Sequence, residues 1–324
     1  MYKKILIFQN LIELLSFKYL FKGYTYGKLL KIAKNYEVFI PRQFQQEMKG
    51  IADVISDITY EDILLQNCFF DILYGYIIPK NPKKRFSKQY EFGCTSFGAI
   101  SHNKPLIGQN FDYPIFFKPT ASFVHLITPE LSEIFSLRLG SLLSLPMGIN
   151  RFSVSVRVNI IKSYMKAVRT IPTSIISRLA LEKSINVEEF FRIITNNRRS
   201  GSCNLIISDN SKIIAMETLP RYYLREEVED IIVKSNTFNS RYFQKYLLDP
   251  KYSKKRQQYA ESQLKESYEE NNGRLTEKDL LKIMADDPII CRLNWFKPMT
   301  LAFLTNEYFG LGNPKNDKLG MVPL

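Results

Sequence analysis

The sequence predicts an α+β fold in which antiparallel sheets pack against helices. Two strand-like runs, residues 94–101 and 105–111, are joined by the polar segment 101–104, which is typical of a β-hairpin. Helical patterns precede this hairpin and interrupt the later strands, so strands and helices do not alternate regularly. Because regular alternation is typical of a parallel, doubly wound sheet, the order of elements favours antiparallel pairing. Neither a G-x-G-x-x-G nor a G-x-x-x-x-G-K-[ST] motif occurs, so the two common nucleotide-binding loops are not indicated.

The elements before the hairpin are predicted to be helices. The pattern is helical from residue 4 to about residue 75, and Pro41 opens a helix whose apolar residues recur at helical spacing. Thr59 and Asp62 form a capping box that starts the next helix. The segment 78–88 contains prolines and many basic residues, so we expect an exposed loop there.

The elements after the hairpin are a mixture of strands and helices. Further strands are predicted at 122–127, 132–139, 152–160, 204–208, 213–217, 300–305 and 307–310. Helices are predicted at 175–181, 187–194 and 254–270, and the last of these ends at Asn271-Asn-Gly273. Thr276 and Asp279 form a second capping box. The sequence contains no internal repeat.

The composition is that of a globular protein with an excess of positive charge. Of the 324 residues, 45% are hydrophobic and 24% are charged, which excludes disordered and collagen-like classes. The 45 Lys and Arg against 32 Asp and Glu give a formal charge of +13. That charge fits nucleic acid, anionic lipid or an acidic substrate such as a coenzyme A ester, and it equally fits a lysine-rich surface. The basic residues are scattered, except at 79–88 and 251–256, so nucleic-acid binding is kept only as an alternative.

The cysteines and histidines narrow the chemistry further. The four cysteines are Cys68, Cys94, Cys203 and Cys291. No C-x-x-C pair occurs, so a zinc ribbon, a thioredoxin-type site and a dense disulfide framework are poorly supported. The two histidines, His102 and His125, would have to supply any multi-histidine metal centre. We therefore predict no metal and no organic cofactor.

The N-terminal segment is interpreted as an amphipathic helix. Lys3 and Lys4 precede apolar residues as in a signal peptide, but polar residues interrupt the run and no small-x-small cleavage site follows. No stretch reaches the length of about 18 apolar residues that a membrane span needs. We expect no membrane span and a cytoplasmic location.

Two residues at the hairpin stand out as candidates for catalysis. If the two strands pair, Cys94 and Asp112 lie at the same open end of the hairpin. A lone cysteine is more often a small core residue than a nucleophile, and Asp112 could simply cap a turn. The alternative is a thiol with a carboxylate held beside it at the end of a sheet.

The segment around these two residues resembles a known family. Gly93-Cys-Thr-Ser-Phe followed by Gly108-Gln-Asn-Phe-Asp-Tyr113 is similar to the core of the penicillin acyltransferase-like branch of the N-terminal nucleophile hydrolases. Choloylglycine hydrolases and acid ceramidase-like amidases are relatives of that branch. Further resemblances cover roughly residues 25–315: Glu47-Met-Lys-Gly-Ile-Ala52, Tyr60-Glu-Asp-Ile-Leu64, a glycine–asparagine turn at Met147-Gly-Ile-Asn150, Gly201-Ser-Cys-Asn204, Met216-Glu-Thr218, Thr300-Leu-Ala302 and Gly312-Asn-Pro314.

The resemblance implies a fold and a processing event. The family fold is a four-layer αββα sandwich with two stacked antiparallel sheets. Members cut themselves immediately before the nucleophile, here between Gly93 and Cys94, so residues 1–93 would form a helical leading segment and residues 94–324 the catalytic chain. The two chains are expected to remain associated. A freed α-amine has a pKa of about 7.7–8.0 and can serve as the base that a cysteine without a histidine partner needs.

The resemblance also implies roles for individual residues. Cys94 resembles the nucleophile and Asp112 the carboxylate that holds its amine. Asn204 resembles a side-chain donor to the oxyanion, and Asn150 a second donor through its backbone N–H; either asparagine could instead be a turn or strand-end residue.

Three positions depart from the family pattern. Gln109 stands where bile salt hydrolases carry an arginine, which argues against an anionic headgroup, and Arg292 is a candidate for the family's C-terminal arginine. We expect both to contribute to substrate binding. Ser235-Asn-Thr-Phe-Asn239 resembles a motif that usually carries His where Thr237 stands.

The predicted function is hydrolysis or transfer of the acyl group of a linear amide through a thioester at Cys94. The partner is a small acyl amide, with acyl-CoA or an amine as a conceivable second substrate, and a homo-oligomer is left open. Two alternatives remain: a relative with this fold that has lost processing and activity, or a basic nucleic-acid-binding protein.

Overall fold

A computed structural model describes residues 24–55, 57–80, 93–128, 132–143, 147–248, 250–286, 288–292, 299–315 and 318–324. The predicted helix before residue 24 and most of the predicted basic loop at 78–88 lie outside these ranges. Within them, no helix is both long enough and apolar enough to cross a membrane.

The strands of the described residues are, in chain order, β1 Gly93–Ser101, β2 Lys104–Tyr113, β3 Ala121–Leu126, β4 Ile134–Leu139, β5 Met147–Asn150, β6 Ser155–Ile161, β7 Ser202–Ser208, β8 Ile213–Thr218, β9 Tyr223–Val228, β10 Ile231–Lys234, β11 Met299–Leu304, β12 Tyr308–Gly310 and β13 Gly320–Met321. They form one sheet in the order β10-β1-β2-β11-β12-β13 and a second in the order β3-β4-β5-β6-β7-β8-β9. The pairings are antiparallel in both sheets.

The helices are α1 Tyr26–Glu37, α2 Arg42–Asp53, α3 Tyr60–Asn67, α4 Phe69–Ile72, α5 Ile78–Lys80, α6 Thr173–Lys183, α7 Val187–Asn196, α8 Arg241–Gln244, α9 Lys251–Glu270 and α10 Glu277–Met284. A π-helix, Leu73–Ile77, joins α4 to α5, and a 3₁₀-helix covers Ile115–Thr120. Both predicted capping boxes are present, at the starts of α3 and α10.

The elements form four layers. Helices α9 and α10 bury Ala260, Leu264 and Leu280 against Phe97 of β1, which covers the outer face of the first sheet. Helices α6 and α7 pack against β5, β6 and β7 of the second sheet. The predicted αββα sandwich is therefore confirmed, and the chain needs both helical layers because each sheet is apolar on its outer face.

Polar contacts align the two sheets between these layers. Ser96 of β1 donates a hydrogen bond to Asn159 of β6 at 2.6 Å. Arg157, fully buried on β6, donates to the carbonyl oxygen of Thr305, the residue after β11, at 3.0 Å. Because buried polar groups are costly unless paired, these contacts favour one alignment of the sheets over others.

The prediction of a hairpin at 94–111 is confirmed, and the structure revises the sequence analysis at other points. The segment interpreted as a glycine–asparagine turn is strand β5. Strands β9 and β10 were not predicted. β9 is exposed at five of its six positions, so it lacks the alternating burial that marks a strand in sequence.

Glu277 makes the stability of this fold depend on pH. Its side chain is buried at the start of α10, and burial raises the pKa of the carboxyl to about 7. The folded chain then holds this proton more tightly than the unfolded chain, so stability is lost as pH rises from about 4.5 towards 7. Replacing Glu277 by Gln removes that titration. Between pH 4 and 8 we expect the free energy of unfolding of wild type to fall by about 1–3 kcal/mol relative to Glu277→Gln.

Urea unfolding of both proteins across this pH range measures the difference. Glu226→Gln, at an exposed position of β9, is the matched control and should follow wild type. Parallel pH profiles for wild type and Glu277→Gln would contradict the assignment.

Candidate active site

Cys94 lies at the start of β1, on the face that points towards the second sheet. Ser96, two residues further along the strand, contacts Asn159 of β6, and alternate residues of a strand share a face. The Cys94 side chain is buried, at 7% exposure, and its strand partner is Phe111. The thiol therefore faces an apolar space between the sheets.

Asn236 and Arg256 hold the backbone of Cys94 from both sides. The N–H of Cys94 donates to Asn236 Oδ1 at 2.8 Å, and its carbonyl oxygen accepts from Arg256 Nη2 at 3.2 Å. The same Nη2 donates to Asn236 Oδ1 at 2.6 Å, while Arg256 Nε donates to the hydroxyl of Thr95 at 3.0 Å. Asn236 Nδ2 donates to the carbonyl oxygen of Ile160 at 2.8 Å, which fixes the amide.

Arg256 also explains why residue 93 is a glycine. A Cβ at Gly93 would lie 2.8 Å from Arg256 Nη1 and 3.1 Å from Cζ. A side chain at this position would have to displace a buried guanidinium that donates hydrogen bonds to three acceptors, on Cys94, Thr95 and Asn236. The requirement at Gly93 is therefore one of space.

Asp112 lies on the opposite face of the hairpin from the thiol. It pairs with Gly93 across the strands, as predicted from the open end of the hairpin. Its carboxylate accepts a hydrogen bond from Thr300 at 2.8 Å and forms an ion pair with Arg292 at 3.5 Å. Burial raises the pKa of Asp112, and Arg292 and Arg256 act against that rise. The backbone of Asp112 acts to lower the pKa of the Cys94 thiol, against the effect of burial.

The surroundings keep the thiol protonated while the Gly93–Cys94 bond is intact. Burial, followed by the negative charge of Asp112, raises the pKa of Cys94 to about 12, and Arg256 and Arg292 only partly offset this. The thiolate is the nucleophilic form. Attack by Cys94 therefore has to pass the thiol proton to an acceptor beside it.

The structure gives Asn204 and Asn150 other partners than the predicted oxyanion. Both donated hydrogens of Asn204 Nδ2 are used, by the carbonyl oxygens of Ser235 at 2.9 Å and Thr237 at 2.7 Å. These two residues flank Asn236, so Asn204 holds the segment that contacts Cys94. The backbone N–H of Asn150 donates to the carbonyl oxygen of Val154 at 2.9 Å. The N–H groups that the sequence analysis invoked are thus already engaged.

The two predicted substrate contacts are also placed inside the fold. Gln109 is buried between the sheets and donates to the carbonyl oxygen of Val158 at 2.9 Å. Arg292 is buried against Asp112 and stacks on Tyr252, with 4.7 Å between the guanidinium carbon and the ring centroid. Arg292 therefore neutralises the carboxylate of Asp112 instead of reaching for a substrate headgroup. Among the described residues, no cluster of three or more His, Cys, Asp or Glu side chains could hold a metal ion.

Sequence reasoning missed Arg256 and did not select Asn236. Asn236 falls in the segment 235–239 that was noted for its resemblance. Arg256 is one of 45 basic residues, and the sequence distinguishes it only weakly from the others. It precedes Ala260 by four residues and Leu264 by eight, so it lies on the same buried face of the helix. A cation on the apolar face of an amphipathic helix needs a buried partner, and that was the available clue.

Comparison with protein families gives one match. Residues 100–290 match the family described as acyl-coenzyme A:6-aminopenicillanic acid acyl-transferase. An uncharacterized protein from Archaeoglobus fulgidus is 31% identical over 90 residues. The matched stretch is 25% of this chain, and the chain spans only 15% of the length of that relative.

Comparison with solved structures gives the fold. An N-acylethanolamine-hydrolyzing acid amidase orthologue from Caenorhabditis elegans has a TM-score of 0.51 at 15% identity, covering 71% of this chain and 100% of that chain. A conjugated bile acid hydrolase variant from Clostridium perfringens has a TM-score of 0.51 at 9% identity, covering 71% of this chain and 97% of that chain. These are N-terminal nucleophile hydrolase folds.

Proposed function

Because the chain belongs to the acyl-coenzyme A:6-aminopenicillanic acid acyl-transferase family, we propose that it is a self-processing cysteine enzyme that hydrolyses or transfers the acyl group of a linear amide. One observation carries the proposal: the N–H and the carbonyl of Cys94 are held by Asn236 and Arg256, beside a residue 93 that has no room for a side chain. The scissile bond and the nucleophile are thus fixed together.

The first proposed reaction is cleavage of the Gly93–Cys94 bond. The sulfur of Cys94 adds to the carbonyl carbon of Gly93, the C–N bond breaks, and the thiol proton moves to the Cys94 nitrogen, leaving a thioester and a free amine. Water then hydrolyses the thioester and releases the carboxylate of Gly93. The products are a small chain, residues 1–93, and a large chain, residues 94–324. Contacts such as those of Asp71 with Thr173 support their staying together.

The second proposed reaction is turnover of an external amide. The α-amine of Cys94, with a pKa of about 7.7–8.0, accepts the thiol proton and supplies the base that the intact chain lacks. The thiolate attacks the acyl carbonyl, the amine leaves with the proton, and a thioester remains on Cys94. Water or an amine then takes the acyl group. We keep Asp112 as the proposed carboxylate that holds this amine, because it pairs across the hairpin with Gly93, the residue before the amine.

We propose that Asn236 orients the α-amine of Cys94, because its Oδ1 accepts a hydrogen bond from the N–H of that residue. Its Nδ2 donates to the carbonyl oxygen of Ile160, which keeps the oxygen turned towards Cys94. We propose Asn204 as a positioning residue for Asn236, since its amide hydrogens hold the carbonyls on either side. Asn150 is proposed to support the fold at the end of β5, where its Nδ2 donates to the carbonyl oxygens of Leu181 and Ser184.

The proposed substrate has an apolar acyl chain. An aromatic cluster starts at Phe111, the strand partner of Cys94, and continues through Tyr113 to Phe70 and Phe117. The two structural relatives act on N-acylethanolamines and conjugated bile acids, as their names state. Gln109 is buried and neutral, and Arg292 is paired with Asp112, so neither side chain supports binding of an acidic headgroup.

The first prediction concerns self-cleavage. Wild type should convert into two associated chains, and Cys94→Ala should remain a single chain because the attacking sulfur is gone. Intact mass spectrometry during incubation measures the conversion. Cys203→Ala, which removes another buried thiol on β7, is the matched control and should still cleave.

A second variant tests the geometry of the scissile bond. Gly93→Ala should slow cleavage by at least about tenfold, because its Cβ would press on Arg256. A wild-type protein that stays intact after prolonged incubation would favour the processing-deficient relative, and cleavage of Cys94→Ala would contradict the proposed mechanism.

The next prediction separates the three asparagines. Asn236→Ala should lower kcat/KM on an amide substrate by roughly 10²-fold while the large chain stays folded, because the α-amine of Cys94 loses the acceptor that orients it. Asn204→Ala should cost about tenfold and also lower the melting temperature, because a positioning residue acts through Asn236. Asn150→Ala should lower the melting temperature and leave kcat of the folded protein near wild type. Equal kcat/KM in wild type and Asn236→Ala would remove that residue from the site.

The last prediction of this set concerns substrate preference. N-acyl amides with small or medium apolar acyl groups should have a higher kcat/KM than taurine- or glycine-conjugated bile acids. A panel of N-acyl amino acids, penicillins and conjugated bile salts, followed by release of the amine, measures the ranking. A clear preference for the conjugated bile salts would overturn the substrate proposal and leave the cleavage reaction unaffected.

A further inference from the structure

A basic cavity lies beside the leading helices, away from the Cys94 thiol. Its volume is about 450 Å³, and five cations line it: Lys28, Lys31, Lys80, Lys166 and Arg169. They come from three separated parts of the chain, namely helix α1, helix α5 and the segment after β6. No acidic residue of the described ranges lines it. The fold therefore concentrates positive charge in one concave site.

These cations are not neutralised within the described residues. None of the five forms an ion pair there, whereas Lys34 on the same helix α1 pairs with Glu61 at 3.4 Å. All five residues are exposed to solvent, so screening weakens their mutual repulsion, and an anion held between them is attracted by all five charges. The arrangement thus indicates an anionic ligand.

The shape of the cavity limits what that ligand can be. The buried Tyr36 and the π-helix residue Gly75 form part of its wall. Gly75 packs so closely on Ala167 that a Cβ there would lie 2.5 Å from the Ala167 Cβ. A cavity of this volume is in the usual range for a small molecule.

The number of cations and the aromatic rings limit which anionic ligands fit the cavity. A single carboxylate is satisfied by one arginine or lysine, whereas a chain of phosphates carries several charges and many acceptor oxygens. Tyr24 and Tyr76 line the cavity as an edge-to-face pair 6.5 Å apart, and Lys80 lies 3.7 Å from the centroid of Tyr76. Tyrosine rings offer a surface on which a nucleobase can stack.

The cavity and the Cys94 thiol are separated by the π-helix. Tyr74 is buried close enough to Cys94 for that thiol to affect its phenol: burial, and then Cys94, raises the pKa of Tyr74. Tyr76, two residues later, lines the basic cavity. Residues two apart on a helix do not face the same side. A ligand in the cavity is therefore one helix away from the thiol.

We propose that this cavity binds a small molecule that carries two or more phosphate groups, such as a nucleoside polyphosphate. Lys31 of helix α1 and Arg169 of the segment after β6 both line the cavity and contact the phosphates. A free nucleotide and a phosphorylated acyl donor share this chemistry. The proposal does not depend on the acyl-transfer reaction, because the site lies outside the contacts of Cys94.

Binding is tested on the full-length Cys94→Ala protein, so that its outcome is independent of processing and turnover. Isothermal titration with ATP, ADP, AMP and tripolyphosphate at low salt should give micromolar affinity for the polyphosphates and at least tenfold weaker binding of AMP. Lys31→Glu combined with Arg169→Glu should weaken ATP binding by at least about tenfold. Lys104→Glu, at an exposed residue of the β1–β2 hairpin, makes the same kind of charge change elsewhere and should bind ATP like the parent.

Two further arms identify the source of the phosphates. Coenzyme A binding at least tenfold more tightly than ADP supports a phosphorylated acyl donor, and similar affinities support a free nucleotide. Melting temperatures within a few degrees of the parent establish that the variants are folded. The proposal is overturned if ATP and tripolyphosphate do not bind below about 1 mM, if the double variant binds them equally well, or if only anionic vesicles or RNA bind through these residues.

Discussion

The buried guanidinium of Arg256 is the contact on which the arrangement around Cys94 depends. It bonds the carbonyl of Cys94, the hydroxyl of Thr95 and the amide oxygen of Asn236, and so joins the start of β1 to the segment after β10 through helix α9. A buried charge that loses its partners is strongly unfavourable, so these bonds hold the guanidinium in this position. The same group fills the space beside Gly93. Arg256 therefore both holds Cys94 in place and requires a glycine at position 93.

The pleat of the β1–β2 hairpin separates the reacting group from its electrostatic support. Cys94 faces the apolar space between the sheets, and Asp112 faces the helical layer with Thr300 and Arg292. The carboxylate and both arginines are close enough to the thiol to shift its pKa. Burial has the largest effect and keeps the thiol protonated. This balance suits a nucleophile that gains its base only when a new amine appears beside it. The proposed nucleophile and the carboxylate that influences it therefore lie on opposite faces of one hairpin.

Polar contacts between the sheets hold the segment that completes the site. Asn204 of β7 bonds the carbonyls on either side of Asn236, and the buried ion pair of Lys234 with Glu217 lies just before that segment, with 2.9 Å between the charged atoms. Removing one partner of such a pair leaves an uncompensated charge, so the contacts restrict how the sheets can slide. Asn204 and the Lys234–Glu217 ion pair therefore help to position Asn236.

The sequence by itself determined most of the strands and helices and pointed to Cys94 as the proposed nucleophile. Turn residues between two apolar runs specify the hairpin, side-chain oxygens specify the capping boxes, and the hairpin register brings Cys94 and Asp112 to one end; all of these are local effects. Tertiary structure alone decided the partners of Cys94. Arg256 lies 162 residues away and Asn236 lies 142 residues away, and no local pattern distinguishes them from other arginines and asparagines. It likewise assigned Asn204 to backbone carbonyls and Arg292 to Asp112, because a buried donor bonds the acceptor that packing brings within reach.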